Sequence, residues 1–206
     1  MTQKKKLNAD CYSSGDRILM EKSQELRAKW LEPVLKWLKE NNFKADTITM
    51  ASLVTGLLFT PLFLYSPFWA LIALLMHSVL DGLDGPLARY TSSDSAKGSL
   101  TDTFSDQIIV ATSTATLIMS GHLHSMNGTA YIFLYTLVIT FSMIRNAMDI
   151  PYQHLVRPRF IVYLMVPISL YWWHPALNIT VLIFNIPLLF YMIAGYRRIR
   201  NEIAKY

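Results

Sequence analysis

Cysteine is almost missing from this chain: Cys11 is the single one in 206 residues. That excludes an intramolecular disulfide and most metal–thiolate sites, and leaves Cys11 as an ordinary thiol. The N-terminus shows no short apolar segment ending in a small-residue cleavage site, so no secretory signal peptide is expected. Charge is also sparse, at 16% of residues, whereas 52% are apolar. With a positive mean hydropathy, these values suit one domain of the membrane class. The net charge of +5 is the only feature that points toward nucleic acid, and its distribution along the chain argues otherwise.

Residues 1–15 are polar and include Lys4-Lys5-Lys6. From Asp16 to about Asn42 the pattern is helical: Leu26, Trp30 and Val34 recur every four residues, with Lys22, Lys29, Lys36 and Lys39 on other faces. Pro33 is expected to divide this stretch, near the first turn of its second part. Trp30 and Trp37 opposite a lysine-rich face predict an amphipathic helix lying in the headgroup layer. Residues 1–44 are therefore assigned to an N-terminal segment and 45–206 to a membrane domain.

Six apolar segments fill that domain, over Ala45–Tyr65, Phe68–Arg89, Gly98–Gly121, Thr129–Asp149, Phe160–Trp173 and Ala176–Tyr196. Most approach the roughly 20 residues that a bilayer crossing needs. The fifth is short, and Pro167 and Pro187 interrupt the last two. The predicted fold is all-α and polytopic, with six transmembrane helices. With the N-terminus inside, all 19 lysines and arginines fall on the inner side and the outer turns have none. So complete a positive-inside bias places the Asp81–Asp106 stretch at the cytosolic face. The basic excess then faces anionic lipid, and no nucleic-acid partner is required.

That stretch reads DGLDGPLARYTSSDSAKGSLTDTFSD and begins where the apolar run Phe68–Leu80 stops. Asp81 and Asp84 are three apart, and Asp102 and Asp106 four apart, so on helices each pair shares a face. If the two helices pair as a hairpin through Tyr90–Lys97, the four carboxylates converge. Such a cluster at the end of apolar helices resists dehydration and needs strong compensation. Oxygen-only ligands suit magnesium or manganese, and two such ions would balance four aspartates. A two-metal site favours phosphoryl chemistry. Arg89 supplies a guanidinium suited to a phosphate oxygen, and Gly85 and Ala88 are small enough to admit a group against the backbone. An EF-hand reading fails, because the position needing glycine is Pro86 and the one needing glutamate is Ser92.

Asp81, Asp84, Gly85, Ala88, Arg89, Gly98, Asp102 and Asp106, at these spacings, resemble the signature of the CDP-alcohol phosphotransferase family without insertion or substitution. Ala45-Asp46-Thr47-Ile48-Thr49 resembles that family's opening to the first membrane segment, with its proline missing; Asp46 as a helix N-cap reads equally well. The resemblance implies an enzyme that transfers a substituted phosphate from a CDP-linked alcohol to a hydroxyl, releasing CMP. It implies Mg2+ or Mn2+ (two ions) held by Asp81, Asp84, Asp102 and also Asp106, with Asp106 as general base. The CDP-alcohol is expected to touch Asp46, Thr49, Asp81, Gly85, Ala88, Arg89, Ser95 and Gly98. A homodimer is expected on the same ground.

The donor expected is CDP-diacylglycerol and the acceptor a polar alcohol, in phospholipid synthesis. The alternative is CDP-choline or CDP-ethanolamine donating to diacylglycerol, which the Tyr12–Leu38 stretch faintly resembles. Arg145, Arg157 and Arg159 are candidates for an acceptor phosphate, although Arg145 and Asp149, four apart, can instead pair with each other. Asp102-Thr103 and Asp106-Gln107 match neither the glycerophosphate nor the inositol phosphate branch. A cation transporter and a non-catalytic scaffold are the rivals from other classes. His77, one turn before Asp81, faces the pocket or serves as a buried structural histidine. Asn127-Gly128-Thr129 is a glycosylation sequon if the source is eukaryotic. The expected location is a bacterial inner membrane, or the endoplasmic reticulum of a eukaryote.

Overall fold

The computed structural model describes Ser13 and residues 30–205, and every regular element among the described residues is helical. Most of the expected N-terminal amphipathic stretch, through residue 29, lies outside the described residues. Its remainder is helical over residues 30–40 (α1), with Pro33 inside it. Leu35 and Leu38 bury one face of α1 against Ile48 and Leu87, while Trp30, Val34 and Trp37 are exposed on another.

The first apolar segment forms two helices rather than one, α2 (Ala45–Leu57) and α3 (Phe59–Tyr65). Pro61 accounts for the break: it has no N–H for the carbonyl one turn earlier, and its ring crowds that carbonyl. Next come α4 (Pro67–Tyr90), opened by a proline at its first position, and α5 (Ala96–Met119). The chain continues through α6 (Ser125–Ala147), α7 (Arg159–Tyr171) and α8 (Ala176–Ile203). All described lysines and arginines lie toward one end of the bundle, at or near the helix termini there.

Among the described residues, four stretches are long and apolar enough to cross a membrane: α2 with α3, α4, α6 and α8. The other two of the six expected spans depart for different reasons. Helix α7 has 13 residues, about 20 Å of helix against a hydrocarbon layer of about 30 Å. Helix α5 is long enough, but it carries Lys97, Asp102, Asp106 and a hydroxyl-rich face. It packs against α2, α3 and α6, which shelter that face. Thr112, Ser113 and Thr116 donate to carbonyls one turn back at 2.6–2.8 Å, and Thr116 meets Thr60 of α3 at 2.8 Å. Those hydroxyls are thus satisfied inside the bundle rather than in lipid.

The main core runs through Phe59, Leu74, Ile109, Val138, Val166 and Leu177. Leu164 of α7 and Leu182, Ile186 and Phe190 of α8 point outward and are exposed. A continuous apolar exterior of this kind marks an integral membrane protein. At the opposite end, away from the lysines and arginines, asparagines link α6 to α8. Asn127 donates to the Asn178 carbonyl at 2.8 Å, and Asn185 donates to Asn127 Oδ1 at 2.8 Å. A Cβ on Gly128 would come within 2.7 Å of Ile118, so glycine permits this close approach. The Asn127 sequon is therefore the first turn of a packed helix, not an open acceptor loop.

Candidate functional site

The aspartates meet where α4 and α5 reach the basic end of the bundle. The two backbones do not pack along their length as a hairpin would; α2 wedges against both, and α7 packs on α4. Side chains span the remaining gap. Asp81, Asp102 and Asp106 each offer an oxygen, and these atoms all lie within 4.8 Å of one another. Oxygens sharing one magnesium at 2.0–2.1 Å are at most about 4.2 Å apart, so small side-chain rotations would close the cluster on an ion. An all-carboxylate donor set also fits a hard divalent cation.

Asp84 is the most enclosed of the four, at 5% exposure. Thr49 Oγ1 of α2 donates to its Oδ2 at 2.7 Å, and the Gly85 N–H donates to its Oδ1 at 2.6 Å. Its carboxyl is within reach of Asp102, as that of Asp81 is of Asp106. One turn above Asp81, His77 is buried; its Nδ1 bonds Ser52 Oγ of α2 at 2.8 Å and its ring meets Tyr163 edge-on. His77 is thus the structural member of the pair of readings its position allowed, tying α2, α4 and α7 together.

Arg159, the first residue of α7, enters this cluster. Its Nη2 lies 2.7 Å from Asp81 Oδ2, and its Nη1 pairs with Asp106 Oδ1. The guanidinium is buried, at 9% side-chain exposure. Tyr131, Tyr135 and Tyr163 lie within electrostatic reach of it. The sequence singled out Arg159 only as an acceptor ligand; no motif tied it to the aspartates, and the three tyrosines were not anticipated. Tyr163 lies four residues after Arg159 and Tyr135 four after Tyr131, so a shared helical face is the signal that could have found them.

A strap of residues 148–158 delivers Arg159. Arg145 fastens it, donating from Nε to the Ile150 carbonyl at 2.9 Å and from Nη2 to that of Pro151 at 3.1 Å. The Arg145 guanidinium lies 3.7 Å from the Tyr152 ring centroid. Tyr152 in turn donates to the Tyr191 carbonyl of α8 at 2.9 Å, over the bare backbone of Gly195. Burial raises the Tyr152 phenol above its ordinary pKa, and Arg145 pulls it partly back. Arg157 is half-buried on the strap.

The remaining positions from the sequence flank the cluster. Arg89 is exposed and folds back along its own helix, its Nη1 only 3.5 Å from where a Cβ on Gly85 would stand. Ala88 is half-buried beside it. Ser95 is the N-cap of α5, and its Oγ accepts from the Gly98 N–H at 3.1 Å. Asp46 is exposed in the first turn of α2, whose N-cap is Lys44 with no side-chain cap bond; the N-cap alternative for Asp46 is therefore corrected.

The CDP-alcohol phosphatidyltransferase family matches residues 43–193, which take in all four aspartates. Cholinephosphotransferase 1 of Xenopus laevis is 34% identical over 121 residues, 52% of this chain and 29% of that relative. The chain thus spans less than a third of the relative's length. No solved structure matches. Three carboxylates gathered on one cluster, a fourth tied down beside them, and a match over most of the bundle agree, and the chain belongs to the CDP-alcohol phosphatidyltransferase family.

Proposed function

We propose that this protein transfers the phosphate-linked group of a CDP-alcohol to a hydroxyl acceptor, with release of CMP. The observation that carries the reading is the cluster of Asp81, Asp102 and Asp106, whose oxygens lie within 4.8 Å of one another beside the tethered Asp84. These four residues would hold Mg2+ or Mn2+. Such ions, when bound, supply positive charge to the pyrophosphate of the donor. Arg89, which lies over Gly85, would meet a phosphate oxygen, and Ala88 would leave room for the nucleotide. The Ser95 hydroxyl spends a lone pair on the Gly98 N–H and keeps its proton for a phosphate oxygen. From α2, Thr49, which bonds Asp84, and Asp46, three residues before it, would meet the nucleotide.

Asp106 takes the proton of the attacking hydroxyl. A carboxylate with a reference pKa near 4 is a weak base for an alcohol, so close placement and neighbouring positive charge share the work. The donor in this reading is CDP-diacylglycerol and the acceptor a polar alcohol. Arg157, half-buried on the strap two residues before Arg159, supports that direction, because a guanidinium there suits a phosphorylated acceptor, and Arg159 would join it only on leaving Asp81 and Asp106. A second reading, CDP-choline or CDP-ethanolamine donating to diacylglycerol, is favoured by the 34% identity to cholinephosphotransferase 1. The site faces the cytosol by the positive-inside pattern, α1 lies in the headgroup layer through Trp30 and Trp37, and the protein works as a homodimer.

The two directions separate in one assay. Purified protein in nanodiscs is given manganese and either CDP-diacylglycerol with a panel of polar alcohols or CDP-choline with diacylglycerol, and free CMP is measured. Release from the first mixture supports the favoured reading, and release from the second alone moves the assignment. Cation flux in liposomes without CMP release from either would replace both with a transporter.

A further inference from the structure

We infer that Arg159 is a built-in competitor for the cation site: its guanidinium and a divalent ion draw on the same two carboxylates, those of Asp81 and Asp106, so its position is coupled to ion occupancy. This rests on the metal-binding reading of the aspartates given above. Arg159 Nη2 engages Asp81 Oδ2 at 2.7 Å and Nη1 engages Asp106 Oδ1. Both carboxylates belong to the group whose oxygens gather within 4.8 Å. A guanidinium bridging two of the three members lies against the volume an ion would need, and like charges at such range repel strongly where water is scarce.

Two further features make competition more than a collision. One guanidinium cannot neutralise four carboxylates, so Arg159 holds α4 and α5 together without satisfying the demand for charge. Its backbone is also fixed, by Pro158 before it and by the strap that Arg145 and Tyr152 fasten. The side chain is therefore the part free to answer. Its long stem can change rotamer while α7 stays in place, and it is flanked by the half-exposed ring of Phe160 at 4.5 Å. A guanidinium leaving Asp81 and Asp106 stays at the mouth of the site, where an anionic substrate group can take it.

A purely structural Arg159 and a competing one have opposite signatures. If Arg159 only orders the aspartates, its loss weakens cation binding. If it competes, loss of its charge strengthens binding and leaves the aspartates repelling one another until an ion arrives. The test uses the full chain in nanodiscs, with manganese chloride alone as probe, read by electron paramagnetic resonance and thermal unfolding. Arg159→Gln is expected to bind manganese at least about tenfold more tightly than wild type. It should also unfold at a lower temperature in EDTA and gain more than wild type from manganese. Arg159→Lys, which keeps the charge but loses the two-pronged bridge, should fall between them, and it decides the matter if the glutamine variant does not fold. Manganese binding that is unchanged or weakened in the variants overturns the inference alone. A wild type that takes up no manganese at millimolar concentration overturns the metal reading, and the inference falls with it.

Discussion

Thr49 of α2 donates a hydrogen bond of 2.7 Å to Asp84 of α4, across 35 residues of sequence and into a carboxylate that is 5% exposed. Through it, the segment preceding the aspartate motif holds one of the motif's members in place. A hydrogen bond to a charged group contributes about 1.5–3 kcal/mol. Thr49→Val keeps the shape and removes the donor, and CMP release is expected to fall by roughly ten- to a hundredfold on that basis. Thr49→Ser should retain most of the rate, and equal rates in all three proteins would remove Thr49 from the site.

Asp106 and Asp81 share Arg159 but are assigned different work. Asp106→Asn should lower turnover by about 10²–10⁴, the usual range for removing a general base, while CDP-alcohol binding survives. Asp81→Asn should instead lose manganese affinity. Rates of CMP release and manganese titrations of both variants check the division, and an unchanged rate in either contradicts it.

Gly85 is where stability and function are expected to part. Alanine in a helix interior is favoured over glycine by about 1 kcal/mol, and a Cβ here meets only the Arg89 guanidinium at ordinary contact distance. Gly85→Ala should therefore unfold at the same or a higher temperature while binding CDP more weakly. A variant that binds CDP as well as wild type would show that the nucleotide does not lie along this turn.

At the strap, Gly195→Leu drives a side chain into the Tyr152 hydroxyl and the Phe141 ring, whose Cδ2 is 3.0 Å from the nearest added atom. Overpacking of this kind costs about 1–3 kcal/mol. Tyr152→Phe keeps the ring and loses the hydroxyl that bonds the Tyr191 carbonyl, a hydrogen bond of about 1 kcal/mol. Thermal unfolding in detergent should rank wild type above Tyr152→Phe above Gly195→Leu, and the reverse order would mean the strap is not fastened there.

What the sequence made legible was local. Spacing alone grouped Asp81 with Asp84 and Asp102 with Asp106, because residues three and four apart on a helix must share a face. Charge placement put that cluster at the basic end. The parts that stayed hidden depend on which helices touch. Arg159 lies 78 residues from Asp81, and only the packing of α7 on α4 reveals the pair. The direct α4–α5 hairpin failed because α2 occupies the space between them. Pro61, inside an otherwise unbroken apolar run, was enough to split that run in two. In α5 the hydroxyls looked apolar enough in sequence to belong to a span, and their partners lie one turn back or on α3.

The central claim is that the carboxylates of Asp81, Asp84, Asp102 and Asp106 hold divalent cations that grip a CDP pyrophosphate. The most direct measurement is equilibrium binding of CDP to the purified protein, in EDTA and in manganese, for wild type and Asp81→Asn. The account predicts binding only in manganese, lost in the variant. Equal binding of CDP with the cations stripped away would contradict it.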